Sequence, residues 1–202
     1  MTEEIATTAR ILGALFMQDP KQDEGWALIT QMQNMPLAQE WLYGSRQELL
    51  AIANNIQERY SRDRTALIRE YQRLFIGPHH FEAPAWGSVY LDFERVQFGC
   101  STLELRQWMR AKGITIAENT HEPEDHIGKM LLLLAWLAEE KPQLINEFLA
   151  EHLMPWAPRY LELLEADARN PFYVGLAQLT SITLEGICAE LNVEPAKKKL
   201  YF

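Results

Sequence analysis

The chain has little cysteine and little histidine, the residues on which soft-metal sites and thiol chemistry are built. It has two cysteines in 202 residues, Cys100 and Cys188, too few and too far apart for a disulfide framework or a zinc spacing. They read as small core residues of a protein kept in a reducing compartment. The five histidines are His79, His80, His121, His126 and His152. Adjacent His79 and His80 cannot readily face one ion from regular structure, and none of the others has ligand spacing, so no metal is expected. There is no HExxH, no serine-centred elbow, no phosphate-cradling glycine loop and no dinucleotide fingerprint. No catalytic residue and no cofactor is therefore assigned on motif grounds. Positive charge is scarce as well: 19 Lys and Arg stand against 28 Asp and Glu, a net charge of −9. That balance argues against nucleic acid as a partner and against more than transient contact with an anionic membrane. No run approaches the roughly 18 apolar residues of a membrane span, and Met1–Thr2–Glu3–Glu4 is acidic where a signal peptide would be basic. A cytoplasmic location is expected.

What the chain does have is helical periodicity. Ile5, Ala9, Leu12 and Phe16 recur at helical spacing before Asp19–Pro20, and a weaker helix spans about Glu24 to Met32. Ser45 and Glu48 are placed for a capping box ahead of Leu49, Ile52, Ile56 and Tyr60. A further helix runs from about Asp63 to Phe75 and stops at Gly77–Pro78. Ser101 and Glu104 suggest a second capping box for a helix through Leu105, Trp108 and Met109 that ends near Lys112–Gly113. Pro142, Pro155 or Pro158, and Pro171 fall where three more helices would start. Only Val89 to Phe98 alternates like a strand, and Lys197–Lys198–Lys199 reads as a solvated tail. The expected fold is all-α, about nine helices in one domain, with an N-terminal lobe at about 1–112 and a C-terminal lobe at about 122–202. Residues 113–122 would form a hinge between them.

Ionisable residues crowd against a long apolar run at one place only, His121–Glu122–Pro123–Glu124–Asp125–His126 leading into Ile127–Gly128–Lys129–Met130–Leu131–Leu132–Leu133–Leu134. The fixed φ of Pro123 predicts a helix starting at or just before it, with Glu124 and Asp125 at its positive end. The apolar residues beyond Gly128 surround the helix axis, as in a helix enclosed on all sides. Three readings of this stretch stand open. Glu122, Asp125 and His126 form an acid/base set of a small hydrolase or GTP-binding protein; or they only cap the central helix; or their carboxylates bind a basic partner. Glu122 and His126 would share a helical face, whereas Asp125 and His126 would not.

A second feature is the irregular stretch Pro78 to Tyr90, which holds Phe81, Pro84, Trp86 and Tyr90 just after Tyr71, Leu74 and Phe75. Compact domains rarely keep such a loop without a function. Its aromatics are either a lid over the core or an open apolar groove for a peptide.

These motifs together are recognisable. Tyr71–Gln72–Arg73–Leu74–Phe75–Ile76–Gly77–Pro78, Pro84–Ala85–Trp86–Gly87–Ser88–Val89–Tyr90, Leu105–Arg106–Gln107–Trp108–Met109 and Glu122–Pro123–Glu124–Asp125–His126 resemble the TorD/DmsD family of redox-enzyme maturation chaperones. The likeness runs from Ala9 to Tyr173. It implies an all-helical cytoplasmic protein that binds the twin-arginine signal peptide of a molybdopterin-containing oxidoreductase of dimethyl sulfoxide reductase type. Such a protein holds the precursor until cofactor insertion and passes it to the Tat translocase. The resemblance places peptide contacts at Tyr71, Leu74, Phe75, Pro84, Trp86, Tyr90, Gly99, Glu122, Pro123, Asp125 and His126. This chain departs from the family in having His79 and Tyr90 where members tend to carry larger aromatics.

Overall fold

The α-helices of the computed structural model, which describes residues 1–78, 80–115 and 122–202, are α1 (Thr2–Met17), α2 (Asp23–Asn34), α3 (Leu37–Glu40), α4 (Arg46–Ile56), α5 (Arg64–Tyr71), α6 (Gly87–Leu91), α7 (Cys100–Ala111), α8 (Ile127–Glu140), α9 (Ile145–Phe148), α10 (Ala157–Asp167) and α11 (Pro171–Leu191). No strand occurs among the described residues. Val89, Tyr90 and Leu91 lie in α6, so the strand-like alternation is not realised there. Two π-turns, Gln72–Ile76 and Leu149–Leu153, extend α5 and α9.

Local signals hold where both partners are local. Ser45 and Glu48 close the capping box of α4, and the Asp63 carboxylate accepts the N–H groups of Thr65 and Ala66 to start α5. Tyr60, expected on the buried face after Ile56, is instead half exposed in a short turn beyond α4. The second capping box does not form. Gly99 is the N-cap of α7, and Ser101 gives its N–H (3.2 Å) and hydroxyl (3.0 Å) to the carboxylate of Asp92. A Cβ at position 99 would lie 1.9 Å from Asp92 Oδ2; the missing side chain is what lets Asp92 reach in.

The central helix is α8, and it begins four residues later than Pro123 predicts. Residues 125–127 pair with 85–87 instead of coiling: Gly87 N–H donates to the Asp125 carbonyl at 3.0 Å and Ile127 N–H to the Ala85 carbonyl at 2.8 Å, an isolated bridge centred on Trp86 and His126. His126 is therefore extended and becomes the N-cap, its Nδ1 accepting the Gly128 N–H at 3.1 Å. Tertiary pairing overrides the local preference of proline. Glu122 and His126 consequently do not sit on one helical face.

α1 lies along α8 and crosses it at two glycines. A Cβ on Gly13 would meet the Gly128 carbonyl at 2.8 Å, and one on Gly128 would meet Met17 at 2.7 Å. α11 packs against α4 and α10. It is long and apolar enough to span a membrane by composition, but 61% of its apolar window is buried inside the fold. One hydrophobic core runs through residues of both expected lobes, from Ile5 to Cys188. The hinge expected near 113–122 falls mostly on residues 116–121, outside the described residues. Arg73, in the first π-turn, binds the Glu70 carboxylate (2.8 Å) and Asp167 (2.8 Å), and Glu70 also accepts the Arg169 N–H at 2.6 Å. This tie fixes the segment carrying Leu74 and Phe75 to the corner between α10 and α11.

That corner depends on Asn170, whose side chain accepts the Phe172 N–H at 3.0 Å and donates to the Tyr60 carbonyl at 3.4 Å. Asn170→Ala removes a buried N-cap and is expected to lower stability by about 1 kcal/mol, read as a lower urea midpoint with an unchanged slope.

Candidate functional site

The pairing of 85–87 with 125–127 brings the aromatic loop and the acidic motif together. Trp86 is extended and buried, with one T-shaped contact to Phe81 (5.7 Å) and another to His126 (5.8 Å). Its indole N–H donates to the Glu122 carboxylate, and the Glu122 carbonyl accepts from Lys129. Glu124 holds Arg106 of α7 at 2.7 Å, and the Arg106 guanidinium lies 5.5 Å over the ring of Phe98. Glu122 and Glu124 are partly accessible. They stand at the rim of the motif, each oriented by a partner from another element.

Asp125 points the other way. It is 3% exposed, and its Oδ2 accepts the Ser88 N–H at 2.6 Å. Together with the two backbone bonds this makes a three-point seam between the segments. Burial raises its pKa above the ordinary 3.8; the Ser88 N–H and the nearby Ser88 and Thr102 hydroxyls pull against that shift. Among the described residues its Oδ1, Ser88 Oγ and Thr102 Oγ1 have no hydrogen-bond partner of normal geometry. Burial holds His126 far down, at a pKa of about 3. A neutral imidazole whose Nδ1 is already engaged with Gly128 is poorly placed for proton transfer or pH sensing near neutrality. Among the described residues no three His, Cys, Asp or Glu side chains converge as a metal site.

Behind the seam lies a shallow cleft with room for little more than a water, with Gly87, Leu105, Asp125, His152, Trp156 and Lys198 among its lining residues. Gly87 is needed where it stands: a Cβ there would come within 2.8 Å of the Trp156 indole. Outside the cleft, apolar side chains reach solvent along 93–103. Phe93 is 80% exposed, and Val96, Phe98 and Leu103 are about half exposed. Arg95 (φ 53) and Phe98 (φ 60) both adopt left-handed backbone, a strained conformation for such residues that tends to mark functional loops.

Residues 39–162 match the nitrate reductase delta subunit family. Over 200 residues the chain is 42% identical to the Tat proofreading chaperone DmsD of Salmonella typhi, covering 98% of this chain and 96% of that one. The chain belongs to the TorD/DmsD family. It is also 29% identical to the chaperone protein YcdY of Escherichia coli, across 94% of this chain and 96% of that one. A solved redox enzyme maturation protein of Archaeoglobus fulgidus shares the fold, with a TM-score of 0.55 at 21% identity over 90% of this chain and 93% of that one. TorD/DmsD proteins are maturation chaperones and not catalysts, so the hydrolase reading of Glu122, Asp125 and His126 is set aside.

The positions to which the TorD/DmsD resemblance assigned peptide contacts separate into two groups. Tyr71, Leu74, Phe75, Pro84, Trp86, Tyr90, Pro123, Asp125 and His126 are all buried. Phe75 packs on Tyr71 (5.0 Å), Tyr173 (5.7 Å) and Phe16 (6.1 Å), while Tyr90 stacks on Trp156 at 5.6 Å. An open apolar groove made of these side chains is not what the structure contains; they are packed into the core as a wall beneath the surface. Glu122 and Gly99 are the two that reach the surface. His79 lies outside the described residues. Glu124, Arg106 and the exposed Phe93–Phe98 loop, which border the motif in the structure, are not among the positions assigned from the sequence. The aromatic and aliphatic residues of that loop, set between charges without helical spacing, were the available signal. The Arg106–Glu124 pair had none, since its partners lie in different elements.

Proposed function

We propose that this chain is a cytoplasmic chaperone that binds the twin-arginine signal peptide of a molybdopterin-containing oxidoreductase precursor, of dimethyl sulfoxide reductase type. It holds the precursor until the cofactor is inserted and the enzyme is released to the Tat translocase. The observation that carries the reading is the pair of partly accessible carboxylates, Glu122 and Glu124, fixed by Trp86 and Arg106 beside the exposed Phe98. A twin-arginine leader presents two guanidinium groups followed by an apolar stretch. Arg106, held by Glu124 with Phe98 beneath it, illustrates how such a group is bound here: one charged contact and one aromatic face. The buried positions Trp86, Tyr90, Asp125 and His126 act by fixing the seam on which those carboxylates stand, and Tyr71, Leu74, Phe75, Pro84 and Pro123 by shaping the wall, while Gly99, at the surface, lets Asp92 reach the start of α7. The net charge of −9 adds long-range attraction for a basic leader. The relatives named for Tat proofreading point to the same class of client.

Calorimetric titration with a synthetic twin-arginine leader, and with the same peptide carrying alanine for both arginines, tests it. The parent peptide is expected to bind more tightly by about a hundredfold or more, two charge-assisted contacts at roughly 1.5–3 kcal/mol each. Equal affinity for the two peptides would remove the reading.

A further inference from the structure

Lys197 and Lys199 are exposed, as a solvated tail would have them, but the segment following α11 that carries them is pinned to the fold. After Asn192, which caps α11 in left-handed backbone (φ 52, ψ 44), residues 193–202 run back over the molecule without helix or strand. Two backbone bonds pin them. Ala196 N–H donates to the Ala150 carbonyl at 2.9 Å and Tyr201 N–H to the Tyr90 carbonyl at 2.8 Å. Both acceptors are available for local reasons. In the second π-turn Met154 N–H bonds back five residues to Leu149, and the next such bond, to Ala150, would need an N–H that Pro155 does not have. Tyr90 lies in the last turn of the five-residue α6, where carbonyls have no partner within the helix.

The side chains follow the same track. Lys198 lies 3.9 Å from Glu104 and at the edge of the cleft backed by Asp125 and Trp156. The Tyr201 ring meets Phe93 at 5.8 Å, and Phe202 meets Tyr90 at 5.4 Å and His80 at 6.5 Å. In order, the strap reads Lys197–Lys198–Lys199–Leu200–Tyr201–Phe202, a basic triplet followed by an apolar triplet in extended chain. Lys198 therefore lies by a carboxylate, Lys199 sits 4.8 Å over the Tyr201 ring, and the strap's rings lie by rings, along the wall formed by Tyr90 and the exposed Phe93. That is the order of charge and apolarity a twin-arginine leader would present. We infer that residues 194–202 cover, in the free protein, the Tyr90–Phe93 surface that the apolar stretch of the client's leader takes, and that they leave it when the leader binds. The inference rests on the leader-binding reading above. The hold is light: the ion pair is long and its partners are partly exposed (side chains 29% and 62%). Tethering makes even a weak occupant compete, because a surface open only part of the time lowers the apparent affinity by that fraction.

The test titrates a synthetic twin-arginine leader into the full chain, into a form lacking residues 194–202, and into the full-length Tyr201→Ala/Phe202→Ala variant, which keeps the test informative if the shortened form does not fold. Hydrogen exchange at the Tyr201 and Ala196 amides of the unaltered protein is followed as leader is added. Leader binding is expected to tighten about tenfold on removing the strap and severalfold in the double variant. The Tyr201 and Ala196 amides should lose protection as leader saturates, and a synthetic peptide of residues 194–202 should compete with leader for the shortened form. Leader that binds all three forms equally, with Tyr201 still protected, would overturn the inference while leaving the chaperone reading intact. Absence of leader binding by every form would overturn both.

Discussion

Asp125→Ala is expected to lower stability by about 2–3 kcal/mol, and Asp125→Asn by close to nothing at neutral pH. The difference follows from what the carboxylate does. Its Oδ2 accepts the Ser88 N–H at 2.6 Å in a site 3% exposed, so alanine leaves a buried donor unpaired next to a small void, a combination worth roughly this much. Asparagine keeps an oxygen for Ser88. It also places an NH₂ against the Ser88 and Thr102 hydroxyl oxygens, which have no partner of normal geometry. It removes, moreover, a charge that burial disfavours. The folded-state pKa of Asp125 is raised above 3.8 by desolvation, so between 3.8 and that raised value the folded chain holds a proton the unfolded chain has released. Asp125 thus favours folding below this window, and its contribution falls as pH rises through it. Asp125→Asn should flatten that part of the stability profile. Thermal or urea unfolding at several pH values reads both effects; equal destabilisation by the two substitutions would show that the Ser88 bond is not what Asp125 supplies.

His126 acts oppositely with pH. Its pKa is pushed down to about 3 by burial, so acidification below about 6.5 protonates the unfolded chain first and stability falls. The two neighbours therefore contribute slopes of opposite sign, and removing the Asp125 slope should leave the His126 one exposed below neutrality.

How much of this was legible beforehand depends on the range of each determinant. Ser45 with Glu48, Asp63 ahead of α5, and Pro171 at the start of α11 need nothing beyond a few residues of local chain, and they were readable as written. Pro123 and Ser101 failed because distant groups outbid local ones. The 85–87 segment captured 125–127, and Asp92 captured the Ser101 N–H that a capping box would have used. The family was legible from its motifs, but which carboxylate of Glu122, Glu124 and Asp125 faces water was not. That is decided by which side of one turn meets the Ser88 amide. The strap was invisible for a similar reason, since its anchors are carbonyls freed in two other elements.

The same division into inner and outer carboxylates governs the second large effect. Glu122→Gln/Glu124→Gln is expected to weaken binding of a twin-arginine leader by about a hundredfold or more, two charge-assisted contacts at roughly 1.5–3 kcal/mol each. The unfolding midpoint should change little. A glutamine oxygen at 122 still accepts from the Trp86 indole, and one at 124 still accepts from the Arg106 guanidinium. The loss at 124 has two parts, because Glu124→Gln also leaves the Arg106 cation facing the incoming guanidinium. Arg106→Met should accordingly move affinity the other way, tightening it severalfold by releasing Glu124 to the ligand. A general loosening of the site would weaken binding in both variants, so opposite signs separate recognition by these carboxylates from mere support of the fold. Raising salt should shrink the gap between parent and double variant, since the contacts lie at the rim, where counterions reach them. If the double variant binds leader as tightly as the parent, the arginines are read elsewhere, and the acidic rim serves only to hold Trp86 and α7 in place.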